Sequence, residues 1–312
     1  MQTGSSNTVA RASTRWRSEA LAAWVFSVPA IFLLVIFLLV PFLMAFGLSF
    51  TDQRLVPNLN LPTQVVGMRN FMRLVQDDTF RRAILNNFYF VTLVVPLQTA
   101  LALLLAILVN QKIKGVNLFR TTYFSPVVVT MVVVAVIWTF LYNPGEGLIN
   151  KFIETITLGH LGPYNWRNDP TRAFPAIMLL SIWQGVGFQM VIYLAGLQEI
   201  PEHLYEAAQI DGANKLEQFR YVTLPQLRNT TIFVVLATTI LAFKLFTQVW
   251  VMQGPNGHPQ GSTMTTMIYV VKQGFKQGKI GYASAITAVF FLIVLAVSLL
   301  QRAFLREERA VD

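Results

Sequence analysis

The chain has 312 residues, 54% of them apolar and only 12% charged, half the roughly 25% of ordinary soluble domains. That balance excludes a disordered tail protein and argues against a water-soluble globule, while the absence of cysteine excludes a disulfide framework, a thiolate metal site and a cysteine nucleophile. The net charge of +9 comes from basic residues scattered through the connections, which suits a protein facing anionic headgroups better than one binding nucleic acid.

Apolar residues fall into six blocks, 24–49, 85–109, 119–142, 173–197, 229–252 and 281–303. Each is long enough to cross a ~30 Å hydrocarbon layer as a helix. None contains Asp or Glu. The expected fold class is an all-α integral membrane protein with six transmembrane helices and both termini in the cytoplasm. Its expected divisions are a cytoplasmic segment over 1–23, a membrane domain over 24–303 and a cytoplasmic tail over 304–312.

Arg11, Arg15 and Arg17 precede the first block, as at the start of a secretory signal. The apolar run is too long for a signal and lacks a small-residue cleavage site. It reads as a retained anchor that Pro29 and Pro41 bend rather than end. With the N-terminus inside, the inner segments carry twelve Lys/Arg and the outer loops eleven, so charge barely sets the orientation. Lys112 and Lys114, in the short connection before the third block, favour it; Arg81 and Arg82, just before the second, oppose it.

In the fourth block, Trp183, Gln184, Gly187, Phe188 and Gln189 mix aromatic faces with amides near mid-membrane. Such a mix suits a ligand that needs both, a ring for its C–H faces and hydrogen-bond partners for its polar groups. Polar groups within a span usually face a bundle interior or a cavity. The same glutamines also suit bonds between neighbouring helices, with the rings as core. Lys244, the one charge well inside a block, is a substrate-site candidate by the same rule, or a long side chain reaching outward. His160, His203 and His258 lie in three separate connections, so no metal site is expected.

The connection over 198–228 spells two short helices. Pro201 suits a first helical position, with Glu202 near the positive end of the helix dipole. Leu204, Ala207, Ala208 and Asp211 follow along one side. Gly212 is the natural stop, and Asn214 with Glu217 three residues on forms a capping box for the next helix. Pro225 is expected to break the pattern before the fifth block. A helix–Gly–helix elbow with two adjacent alanines is the shape of a knob that another protein's groove approaches closely, and Glu206 offers it a charge. An amphipathic loop packed on its own bundle fits the local chemistry as well.

Glu206-Ala207-Ala208, three residues, Gly212, nine residues, then Val222-Thr-Leu224-Pro225 resembles the cytoplasmic signature of the membrane subunits of binding-protein-dependent ABC importers. Only Val222, where the family carries Ile, departs from it. The resemblance extends along nearly the whole chain, toward the carbohydrate-uptake branch of maltose-type and glycerol-phosphate-type permeases. Gly67-Met-Arg-Asn70-Phe71, Ser125-Pro126, Trp138, Asn143-Pro144-Gly-Glu-Gly147-Leu-Ile-Asn150, Leu194-Ala-Gly-Leu197, the Thr-rich run at 263–266, Tyr269 and Gly281-Tyr-Ala283 carry it. Gln253 stands where the family often has Gly, and Thr247 near where it often has an acidic residue.

The resemblance implies a non-enzymatic permease subunit in a prokaryotic plasma membrane. It would pair with a second homologous permease, receive a sugar from an extracytoplasmic binding protein, and dock its elbow, Glu206 to Gly212 with Leu224 and Pro225 behind it, on a cytoplasmic ATPase dimer. The chain has no phosphate-cradling Gly-x-x-x-x-Gly-Lys-Ser/Thr run, so ATP and Mg would be bound by that partner and this chain would carry no cofactor. Two rivals remain. A gradient-driven secondary transporter would place ionisable pairs in its spans. An intramembrane enzyme would need a nucleophile with its base, paired carboxylates or a metal there. Within the importer class, a phosphate ester such as glycerol phosphate is the alternative cargo.

Overall fold

The structure is a computed structural model and describes residues 23–56, 62–111 and 114–305. Most of the expected N-terminal segment, Lys112 of the short connection and the tail beyond Leu305 lie outside the described residues. The described part is helical, with one isolated antiparallel bridge between Thr51 and Val65. In chain order, α1 runs Ala23–Leu48, α2 Arg69–Val75, α3 Asp78–Val109, α4 Val116–Val128 and α5 Met131–Leu141. Then come α6 Leu148–Ile156, α7 Ala173–Gln198, and the two short helices of the elbow, α8 Glu202–Ile210 and α9 Lys215–Gln218. The chain continues through α10 Arg228–Phe243, α11 Thr247–Gln253 and α12 Thr266–Val271 to α13 Ile280–Phe304.

Five of these segments are long and apolar enough to cross a membrane, counting Arg228–Gln253 as one, and the bent pair α4–α5 makes a sixth when it is counted as one broken span. The third expected span, 119–142, is therefore corrected from one helix to two that meet at 100°. Hydropathy runs unbroken across the joint. The backbone does not, because Val129 and Thr130 are extended, ending a β-branched run that begins just after Pro126. The second span starts earlier than the expected 85: Asp77 caps it by accepting from Thr79 N and Phe80 N at 2.9 and 3.1 Å.

The fifth block, expected as 229–252, is interrupted at Lys244–Phe246. In hydrocarbon, carbonyls freed by such a break need new donors. Asn87 of α3 donates to Phe243 O at 2.9 Å, and Thr265 Oγ1 to Leu245 O at 3.0 Å. Thr266 returns both its N–H and its hydroxyl to Asn87 Oδ1, so the Thr-rich run and one buried Asn brace the break.

α3 packs along α7, with α10 beside it and α13 beyond. Glycines let this happen: a Cβ at Gly187 would overlap the Tyr123 carbonyl of α4, and one at Gly281 the Thr51 carbonyl. Asn70 fixes the same segment, donating to Ser49 O and Thr51 O at 2.9 and 2.8 Å. One buried cluster, around Trp138, Tyr142, Phe174, Ile177 and Phe243, lies toward the starts of α3 and α7 and the end of α5. A second, around Ala102, Ala106, Met190, Tyr193 and Leu227, lies at the elbow end. By contrast, α1 buries none of its most apolar window and touches the bundle through Phe42, whose ring lies 5.0 Å from that of Phe291 on α13. Pro29 and Pro41 leave it continuous; a π-turn over Val35–Leu39 precedes Pro41.

Candidate functional site

The elbow's local chemistry builds the shape its sequence spells. Gly212 has φ +83°, and the end of α8 forms a complete Schellman motif: Ala213 N donates to Ala208 O at 2.8 Å and Gly212 N to Gln209 O at 3.0 Å. Asn214 Oδ1 accepts from Leu216 N and Glu217 N, while Glu217 Oε2 accepts from Asn214 N at 2.7 Å, closing the capping box. Pro201 stands one residue earlier than expected: its ψ of 132° makes it the N-cap, and Glu202 begins the helix.

Pro225 does not break the path. A π-turn over Phe219–Thr223 precedes it, with Leu224 N bonding back to Phe219 O, and the chain runs helically into α10. Proline lacks the N–H that an unbroken α-ladder would demand there, and the wider turn absorbs the gap.

Glu206, Ala207, Asp211 and Gly212 are exposed, with Ala208 half-buried behind them. Glu206 and Asp211 form no ion pair among the described residues. Ile210 and Leu216 flank the turn with 87% and 74% exposure. Apolar side chains so open beside free carboxylates form a face that its own bundle does not cover. The elbow is tied to the bundle by Tyr205, whose hydroxyl shares a 3.0 Å hydrogen bond with that of buried Thr223 in the π-turn.

The second region is a cavity of ≈ 320 Å³ between α3, the α4–α5 joint, α7 and α10, at the low end of ligand-pocket sizes. Gln184, Phe188, Gln189 and Lys244 all line it, so these four candidates come together. Trp183 does not: it points away and meets Trp138, ring centroids 5.5 Å apart. Lys244 is exposed at the helix break, with no carboxylate among the cavity's lining residues. Gln189 Nε2 donates to Thr238 Oγ1 at 2.6 Å, and Gln248 Nε2 to Ser181 Oγ at 3.2 Å, so both polar pairs join α7 to the fifth span. Gln189 Oε1 is buried at this wall and has no protein partner.

Gln98, Ser181, Thr238 and Gln248 line the same cavity beyond the sequence candidates. Gln98 had a signal: Phe90, Val94 and Gln98 recur every four residues, one face of a helix. Among the described residues, no three His, Asp or Glu side chains gather where a metal ion would be held.

Residues 71–309 match the family described as "Binding-protein-dependent transport system inner membrane component". The chain is 35% identical over 243 residues to a probable ABC transporter permease protein, YurN, of Bacillus subtilis, covering 77% of this chain and 82% of that one. It is 33% identical over 293 residues to the arabinooligosaccharides transport system permease protein AraP of the same organism, covering 91% and 90%. Its fold matches a chain in the crystal structure of a bacterial alginate ABC transporter in complex with alginate pentasaccharide-bound periplasmic protein. That match has a TM-score of 0.79 at 22% identity, over 93% of this chain and 95% of that one.

Proposed function

Because the chain belongs to the inner membrane components of binding-protein-dependent transport systems, we propose that it is one of two permease subunits of an ATP-driven importer. It forms half of the pathway for a sugar or oligosaccharide. A prokaryotic plasma membrane holds the bundle, with the elbow on the cytoplasmic side. An extracytoplasmic binding protein presents the sugar at the other end. Hydrolysis of ATP with Mg belongs to a separate ATPase dimer, whose cleft receives Glu206 to Gly212.

The observation that carries this reading is the elbow: a rigid, doubly capped knob, exposed at its tip and bonded at its base to the turn that enters the fifth span. A docked element of fixed shape transmits a partner's closure when its contacts differ between two bundle states. The cavity supplies what a sugar asks for, the ring of Phe188 beside the amides of Gln98, Gln184, Gln189 and Gln248. Lys244 on that wall favours, as a second reading, an anionic cargo such as a sugar acid or phosphate ester.

The test is purification of the tagged chain from native membranes in mild detergent, alone and as Glu206→Arg. The expected result is recovery of an ATPase and a second six-span subunit with the parent chain, loss of the ATPase from the variant, and loss of uptake with membrane insertion intact. Normal uptake by Glu206→Arg would remove the docking role. A chain recovered alone, with flux indifferent to ATP, would revive the gradient-driven reading. Anionic cargo predicts that Lys244→Gln slows uptake of a charged sugar while sparing a neutral one of the same size.

A further inference from the structure

The helix α6 does not cross the bundle, yet it is strongly two-sided. Leu148, Phe152 and Ile156, one helical turn apart, are 67%, 65% and 64% exposed, and Leu158 beyond them is 86% exposed. Ile149 and Ile153 turn toward the protein, half-buried, and Lys151, Glu154 and Thr155 form the polar side. Nothing about this placement is loose. Asn150 is buried at the back of the helix, accepting from Tyr164 N at 3.1 Å and Trp166 Nε1 at 2.9 Å and donating to Tyr164 O at 2.9 Å. A Cβ at Gly147, the residue before the helix, would overlap the Leu141 and Asn143 carbonyls.

We propose that α6 lies in the lipid headgroup layer at the end of the bundle opposite the elbow, with Leu148, Phe152 and Ile156 inserted among the upper acyl chains. Three observations select lipid rather than protein as the occupant. The apolar arc continues the exposed band of α5, where Val132, Val133, Val136, Ile137 and Phe140 face outward on a segment apolar enough to span. The joint between α5 and α6 is packed by rings in sequence: Trp138 on Tyr142 at 5.3 Å, Tyr142 on Trp166 at 5.5 Å and Trp166 on Tyr164 at 5.6 Å. Trp138 and Tyr142 are buried core, but Trp166 and Tyr164 at the outer end of the stack are half-buried, as rings are where hydrocarbon gives way to headgroups. Lys151 sits beside the arc with its ammonium 2.6 Å from Glu146 Oε2, so a charged pair marks the arc's polar margin. A short amphipathic helix with apolar residues on one arc and a cation at its margin is the form that binds in the interfacial plane.

The chain's lack of cysteine makes the test direct. Phe152→Cys, Ile156→Cys and, as a polar-side control, Glu154→Cys are each labelled with an environment-sensitive fluorophore. The labelled full-length chain is reconstituted, in the complete importer, into phosphatidylglycerol-containing vesicles, with partner subunits free of reactive cysteines. Quenching is then compared for lipids spin-labelled at the headgroup, lipids spin-labelled deep in the acyl chain, and aqueous cobalt. The expected result is several-fold stronger quenching by the headgroup-labelled lipid than by the deep one at positions 152 and 156, shielding of both from cobalt, and full cobalt access at 154. Quenching of 152 and 156 by cobalt but not by lipid would overturn the proposal, by showing a face open to water. Shielding from lipid and cobalt together would overturn it in favour of a protein partner.

Discussion

Asp77 gathers four donors onto one carboxylate: the hydroxyls of Tyr269 and Tyr282 at 2.5 Å each, and the first amides of α3. Partial burial pushes its pKa up, but those hydrogen bonds outweigh burial and hold it below the usual carboxylate range. A carboxylate with a depressed folded pKa stabilises fully above its unfolded pKa of about 4 and loses that contribution as pH falls through the folded value. Thermal unfolding in detergent should therefore show a Tm that drops below about pH 4, with a shallower acid dependence in Asp77→Asn. Equal slopes would show that the carboxylate's charge contributes nothing. At the cavity, Gln189→Leu removes the bond to Thr238 and the unpartnered Oε1 together, and uptake should fall roughly tenfold, the equivalent of about 1.4 kcal/mol. Trp183→Leu, outside the cavity, should leave uptake within about twofold. Equal losses in the two variants would break the link between this cavity and the pathway. Residues acting within a few positions of themselves were legible in the sequence: Gly212, Asn214 and Glu217 work through local turns. Asn87 and Gln248 were not, because what an amide in a span bonds depends on which helix passes beside it.

Two spans were readable to within a residue at each end, Ala173–Gln198 and Ile280–Phe304, while the cap at Asp77 that starts the second span seven residues early was not. Nor were breaks inside apolar blocks. Hydropathy continues through Val128–Met131 and through Phe243–Thr247, and the donors that make the second break tolerable, Asn87 and Thr265, lie far away in sequence. Both breaks border the cavity, through Val127 and Met131 on one side and Lys244 and Leu245 on the other, so the irregular backbone opens the space that regular helices would fill. Gly187 holds α4 in this arrangement, because the Tyr123 carbonyl occupies the place of a side chain. Gly187→Ala should cost about 1–3 kcal/mol, read as a lowered Tm of the detergent-solubilised chain, since a backbone group must move to admit the methyl. At Gly47, in α1, a Cβ meets nothing within 4 Å and the backbone is helical, so Gly47→Ala serves as an unstrained control. A Gly187 variant no less stable than the parent would mean that α4 shifts freely along α7.

At the scale of the whole molecule, the elbow precedes the start of α10 and the cavity borders that helix from Val234 onward. Six residues, about 9 Å at 1.5 Å per residue, separate the helix start from the cavity's first lining residue on it. Tyr205 of α8 hydrogen-bonds Thr223 at the π-turn that leads into α10, and Thr238 farther along that helix meets Gln189 in the cavity wall. If docking at the elbow is to change the cavity, the tie at the π-turn is where a push on α8 enters the span. Proximity alone does not establish coupling, and the physical warrant is a non-additive pair. Tyr205→Phe and Thr223→Val each delete the hydrogen bond while keeping the packing. Each should leave the ATPase attached to the purified complex yet reduce the sugar imported per ATP hydrolysed. The double variant should be no worse than either single one, because the same bond is lost in all three. Additive losses would mean that the two residues act separately and that closure reaches the spans by another route, such as the backbone of α9. Loss of the ATPase from either single variant would make the tie part of the docking surface rather than of the transmission behind it.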